Sequence, residues 1–251
     1  MTVAEFVDGA SPVIRVVRTY DHPIERVWRA VTAPEHLAAW FPTGAEMDLV
    51  PGGKIRFGDL GDGGSTGEVL LVEPPNRLDF RWGDQRFEFH LAAAGGTATT
   101  FTLVHHFDDR AGAASFATGW ELCLRALAAA LDGAPPPPAD RGAARHEELV
   151  RAFGLDRPRV TRDGDGWHVR FERQLTCSAD AAREVLGPAA DGERLAFAPG
   201  TGHGARLVVE FERTDETAVA SAVALWTARI EGVSAAACDI DGGAGDEGGV
   251  G

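Results

Sequence analysis

Two adjacent histidines, His105 and His106, are the pair in this chain whose type best suits metal ligation or proton transfer. They end TTFTLVHH, a β-branched and apolar run that reads as a strand, where successive side chains point to opposite faces. One metal ion cannot take both from such a strand. Alternation puts Phe101, Leu103 and His105 on the apolar face and leaves Thr102, Val104 and His106 on the other. His105 is therefore a polar group on an apolar wall, suited to hydrogen-bonding a core neighbour or a ligand. In an enzyme it would be the general acid or base.

The other constellations dissolve on spacing. Asp108 and Asp109 fall in a turn before Arg110, and Glu25 and Glu35 belong to separate helices, so both pairs read as solvated surface. The glycine-rich runs at residues 58–67 and 199–206 lack a GK[ST] ending and precede strands, which makes them hairpin loops rather than phosphate cradles. Ser65, Ser115, Ser178 and Ser221 lack a nucleophile elbow, and no H-E-x-x-H occurs. Cys123, Cys177 and Cys238 are odd in number and widely spaced, so they read as reduced thiols. Neither a metal nor a cofactor is expected, and no catalytic constellation emerges.

Aromatic rings are better placed. Leu78, Phe80 and Trp82 share one strand face, as do Phe87, Phe89 and Leu91, and Trp28, Trp40, Phe41, Phe57 and Trp120 add to the same interior. Each buried ring contributes about 2 kcal/mol of transfer free energy, so core packing and cavity lining both account for them.

The elements that position these side chains follow from periodicity. VIRVVRTY at 13–20 is a strand that runs through Asp21, His22 and Pro23 into a helix with Ile24, Val27, Trp28 and Val31 on one stripe. Thr32 and Glu35 have capping-box spacing for a second short helix ending near Trp40 and Phe41. EMDLVPGG, KIRFGD, TGEVLLVEP, NRLDFRWGD, RFEFHLAAA and TATTFTLVHHF then read as an antiparallel meander. Phe116, Trp120, Cys123, Leu124, Leu127 and Leu131 make a long amphipathic helix closed by Gly133. The fold class is α+β, a helix grip: a curved antiparallel sheet wrapped around a long C-terminal helix.

Composition narrows the partners. The chain has 251 residues, 44% of them apolar and 25% charged, with a net charge of −14 and no basic cluster. Nucleic acid and anionic membrane surfaces are unsuitable partners. The first nineteen residues include Glu5, Asp8, Pro12, Arg15 and Arg18 without an apolar core, and no run reaches the roughly eighteen residues of a membrane span. A cytoplasmic location is expected. Four prolines at 135–138 break the chain, and residues 239–251 are expected to form a disordered acidic, glycine-rich tail.

Asp21, Pro23, Glu25, Val27, Trp28 and Ala30, followed by TAPEHLAAWF, PGGKIRF, GEVLLVEPPNRLDF, TTFTLVHH and GWELCLRAL, resemble the SRPBCC (START-like, Bet v allergen-like) superfamily. Within it, the closest resemblance is to the bacterial branch similar to the activator of heat-shock-protein ATPase homologue. This resemblance implies an apolar cavity between sheet and long helix, used for lipids, polyketides, hormones or aromatic compounds. A second resemblance is internal: residues 167–187 repeat the strand-into-helix order of residues 13–32, with Arg170 at the place of Arg15, and residues 216–232 repeat the tryptophan-bearing closing helix. Between them lie two strand-like runs, LAFAP and ARLVVEFER. The expected organisation is a helix-grip domain at 1–132, a proline-rich linker and short helix at 133–156, a shortened second copy at 157–238, and the tail.

The expected function is non-catalytic binding, carriage or sequestration of a small hydrophobic or aromatic molecule. Its site would be Trp28, Trp40, Phe41, Phe57, Phe80, Trp82, Phe87, Phe89, Phe101, Leu103, His105, Trp120 and Leu124. Two rivals stand beside it. One is a cyclase, dehydratase or hydrolase that uses His105 in the same cavity, and the other is a co-chaperone-like or dimerising module in which the second copy offers a surface for a homodimer.

Overall fold

The computed structural model describes residues 3–58, 65–138, 142–202 and 204–243. The chain divides into two compact units, residues 1–110 with 119–140 and residues 111–118 with 141–251.

The first unit begins with strands β1 (Val3–Val7) and β2 (Val13–Tyr20), then helices α1 (Ile24–Thr32) and α2 (Pro34–Leu37). Strands β3 (Ala45–Met47), β4 (Lys54–Phe57), β5 (Ser65–Glu73), β6 (Arg77–Trp82), β7 (Gln85–Ala93) and β8 (Thr99–His106) follow, and helix α3 (Ala113–Asp132) closes the unit with its residues from 119 onward. All eight strands pair antiparallel in the order β1-β2-β8-β7-β6-β5-β4-β3. This is a helix grip, with β2 reaching β8 across the meander. β1 carries only five residues and lies outside the expected strands; of EMDLVPGG only residues up to Met47 are extended.

Pro23 lies immediately before α1, its φ of −58° already near the helical value, so the strand turns directly into the helix. Val27, Trp28 and Val31 are buried along one stripe, while Glu25 and Arg29 face outward. The capping box expected at Thr32 and Glu35 does not form. The Thr32 hydroxyl instead donates to the Trp28 carbonyl at 2.7 Å, and Ala33 precedes α2 with Pro34 at its first position, where no N–H needs a cap. Gly133 ends α3 at φ 67°: its N–H donates to Ala130 and that of Ala134 to Ala129, satisfying carbonyls the helix leaves open.

The second unit contains α4 (Ala143–Ala152), β9 (Arg159–Asp163), β10 (Gly166–Gln174), α5 (Ala179–Leu186), β11 (Glu193–Pro199), β12 (Ala205–Arg213) and α6 (Glu216–Gly243). Its sheet, ordered β11-β12-β10-β9, has one strand more than the repeat pattern predicts, because polar RVTRD pairs beside β10 with no apolar alternation to announce it. Ser178 caps α5 by accepting the Ala181 N–H at 3.3 Å. Val169, Phe171, Leu207, Val209 and Phe211 of the sheet form one core with Ala182, Leu186, Trp226 and Ile230 of the helices. Helix α6 continues to Gly243, so the first residues of the stretch expected as a tail are helical; residues 244–251 lie outside the described residues. Among the described residues no helix is long and apolar enough to cross a membrane.

Candidate functional site

The inward faces of β4, β6, β7 and β8 bring the predicted aromatic residues together. Phe57 and Trp82 stack at 4.2 Å between ring centroids, Phe80 and Phe87 at 5.0 Å, and Phe87 and His105 at 4.2 Å, each pair within 20° of parallel. Phe41, carried in by the turn after α2, bridges this stack to Trp120 of α3 at 5.7 Å. Trp40 turns towards Phe89, which meets Phe101 edge-on at 5.2 Å. Trp28, Leu103 and Leu124 are buried in the same unit, and the Leu124 carbonyl accepts the Tyr20 hydroxyl. Burial holds that phenol far above its ordinary pKa.

Gly67 makes the stack possible. It sits opposite Trp82 in the β5–β6 register, and a Cβ there would approach the Arg81 carbonyl oxygen to 2.0 Å and the Phe57 ring to 2.8 Å. Sequence periodicity had not marked this glycine, nor Ser65, whose hydroxyl accepts the Trp82 indole N–H at 2.6 Å. Trp82 is the stacked ring that remains partly exposed; Phe57, Phe80 and Phe87 are buried. The rest of the glycine-rich run at 59–64 lies outside the described residues.

His105 is 1% exposed and has partners on both ring nitrogens. The Trp120 indole N–H donates to Nδ1 at 3.2 Å, and Nε2 lies 2.7 Å from Gln85 Oε1. An indole nitrogen only donates, so Nδ1 accepts, Nε2 carries the proton, and the ring is neutral. Burial, reinforced by neighbouring His106, pushes its pKa down to about 3. Held this way, His105 is a neutral hydrogen-bonding group on the apolar wall. Gln85 is a site residue that pattern reading missed. It faces Trp82 across the two-residue β6–β7 hairpin, whose Gly83 adopts φ 56°, and alternation with Phe87 and Phe89 was the available signal.

The opposite face of the sheet is ionic. Asp79 is buried beneath Arg77 and Arg86, which donate to its two oxygens at 2.8 and 2.9 Å, and Glu88 accepts from His90 and His106 at 3.0 and 2.9 Å. Burial raises the pKa of both carboxyls; for Asp79 the two guanidinium groups more than offset it, and for Glu88 the histidine contacts do. Asp79, Glu88 and His90 place one ligand atom each within 4.8 Å of one another, but the arginines already neutralise Asp79 and would repel a cation. Cys123 lies along α3, where burial lifts its thiol to about 11 and leaves it unreactive.

Residues 21–132 match the family model described as Activator of Hsp90 ATPase homolog 1-like protein. Over this segment the chain is similar to AHSA1-like domains. The segment contains every predicted site residue, from Trp28 to Leu124. The chain is similar in fold to CalU16 from Micromonospora echinospora, with a TM-score of 0.50 at 24% identity over 61% of this chain and 96% of that one. It is also similar to a conserved protein of unknown function, EF2215 from Enterococcus faecalis, with a TM-score of 0.53 at 19% identity over 61% and 91% of the two chains. At these identities the likeness is one of fold. No curated protein matches the sequence.

Proposed function

We propose that the AHSA1-like domain binds a small, flat aromatic or apolar molecule, with no chemistry performed on it. The observation that carries this reading is the position of Trp82, stacked on Phe57 at 4.2 Å yet still reached by solvent. An entering ring that replaces the indole on Phe57 recovers the same stacking and the same apolar burial, so the exchange costs little. The released indole rotates outward and leaves the Ser65 hydroxyl to water or to the ligand. Beside it, Gln85 keeps an amide nitrogen without a hydrogen-bond partner among the described residues, while its oxygen is anchored on His105. A ligand carrying one carbonyl or hydroxyl group would meet that donor. The site would carry or sequester its ligand, because neutral His105 and the anchored Gln85 recognise polarity without moving protons.

Native mass spectrometry of the purified full chain, compared with the denatured sample, tests the reading. Titration with N-phenyl-1-naphthylamine, a neutral aromatic probe, completes it. A small-molecule mass lost on unfolding, or saturable probe fluorescence, is the expected result. A clean unliganded mass together with an inert probe overturns it and moves the assignment to an interaction module.

A further inference from the structure

Residues of α1, α2 and the end of α3 line a groove of about 290 Å³ that shares Trp40, but none of the stacked rings Phe57, Trp82, Phe80 and Phe87, with the aromatic cluster. Its floor is apolar: Ala30 of α1, the edge of Trp40, and Ala130 with Leu131 at the end of α3. Its rim carries the cations Arg26 and Arg29 of α1, with His36 of α2 beside them. We propose that this groove is a binding site for a small carboxylate with a flat apolar body, held between the Arg26 and Arg29 guanidinium groups above the Trp40 floor.

The pairing of the charges points to an anion. The chain carries a net charge of −14, yet neither rim arginine pairs with a carboxylate among the described residues. The Arg26 side chain donates through Nη2 to the Leu131 carbonyl, which fixes its guanidinium at the C-terminal end of α3 and leaves its remaining donors without a partner among the described residues. Arg29 donates only through Nε, to the Glu25 carbonyl at 3.4 Å, so both terminal nitrogens of its fork are without a partner among the described residues. The acids nearest in sequence do not compensate. Asp132 is bound to His22 at 2.8 Å, and Glu25 and Glu35 are exposed with no ion pair to the rim. A guanidinium fork matches the two oxygens of a carboxylate, and two arginines facing one groove give orientation as well as charge.

The floor selects the rest of the ligand. Trp40 is buried and its indole N–H is held by the Ala30 carbonyl at 2.8 Å, so its ring is a fixed surface rather than a mobile one. The volume, near the lower end of the roughly 300–1,000 Å³ usual for small-molecule sites, suits a bicyclic or short-chain acid. The site differs chemically from the one under Trp82, where His105 is neutral and, among the described residues, no cation is in contact with the stacked rings. That site favours a neutral ligand, since burying a carboxylate without a counter-charge is costly.

The experiment is isothermal titration of the full chain with 2-naphthoate and, separately, with 2-naphthalenemethanol, its neutral analogue. Both are repeated on Arg29→Glu, an exposed helix position whose folding is checked by circular dichroism. Naphthoate should bind wild type at least about tenfold more tightly than the alcohol, and Arg29→Glu should abolish that preference by reversing the charge at the rim. Naphthoate binding that is unchanged in Arg29→Glu or equalled by the alcohol would overturn the proposal and mark the aromatic stack as the binding place. No binding at millimolar naphthoate would overturn it too.

Discussion

Trp120 donates its indole N–H to Nδ1 of His105 across 3.2 Å, tying the long helix α3 to the last strand of the meander. The bond sets the tautomer of His105, directs its proton to Gln85, and keeps the imidazole neutral inside the aromatic cluster.

The first expectation concerns pH. The His105 pKa is about 3 in the fold against 6.5 for a free histidine, so between these values the unfolded chain binds a proton that the native one does not. Stability therefore falls as pH drops below 6.5, and this contribution levels off below about 3. Between pH 7 and 5 the loss should be about 2 kcal/mol. Urea denaturation of wild type against His105→Asn measures it, and an equal pH slope in both proteins contradicts the neutral assignment.

Gly67→Ala tests the close approach beneath the stack. Its Cβ would meet the Arg81 carbonyl and the Phe57 ring, forcing β5 from β6 and tilting Phe57 away from Trp82. A cost of about 2 kcal/mol is expected, accompanied by a change in tryptophan near-ultraviolet dichroism.

Ligand exchange at Trp82 makes opposite predictions for two substitutions. Trp82→Ala removes the ring that a ligand must displace, so N-phenyl-1-naphthylamine should bind several-fold more tightly. Phe57→Leu removes the stacking platform, and the same probe should bind several-fold more weakly, in line with about 1 kcal/mol for an aromatic pair. Unaltered affinity in both variants would refute the exchange.

Asp79 predicts an acid-side effect of the opposite origin to His105. Its carboxyl is buried, which raises its pKa, but Arg77 and Arg86 bring it below the ordinary value of 3.8. The stabilisation is present above that value and is lost as pH falls through the lower native pKa. Asp79→Asn should cost about 2–3 kcal/mol at pH 7, because two guanidinium groups lose their counter-charge and one of the two oxygens they share. The cost should shrink in strong acid, as guanidinium chloride denaturation at pH 7 and pH 2 would show.

In the second unit, Arg173 of β10 is buried against Glu147 of α4, and the Glu147 carboxylate also meets His146 at 3.3 Å. Burial raises the Glu147 pKa, and His146 and Arg173 bring it below normal. Glu147→Ala leaves a guanidinium buried without its counter-charge, a change expected to cost about 3 kcal/mol. Replacing both residues, Glu147→Leu with Arg173→Met, should recover much of that loss; a double variant as unstable as the single one would show that the pair is not what matters.

Local rules made much of the first unit legible. Alternation in Arg77–Trp82, Gln85–Ala93 and Thr99–His106 assigned inward and outward faces correctly, down to His105 inside and His106 on the ionic side. Pro23 and Gly133 marked helix ends because each restricts or permits a single backbone torsion, a property that needs no tertiary partner. The short edge strand β1 and polar β9 were not legible, since each exists by pairing with a neighbour rather than by an apolar pattern of its own. Thr32 and Glu35 had capping-box spacing, but Thr32 still belongs to α1 and gives its hydroxyl to the Trp28 carbonyl, so Ala33 is the residue that precedes α2.

The sequence by itself determined that aromatic side chains would converge on one face of an antiparallel meander under an amphipathic helix, because side-chain direction follows from backbone period alone. Only the tertiary structure decided which polar atoms meet there. Gln85, Ser65 and Trp120 come from different turns of the chain, and their distances to His105 and Trp82 depend on how strands register and where the helix crosses. Those distances favour a neutral His105, since burial, the Trp120 donor and the Gln85 acceptor act through space and leave no trace in the order of residues.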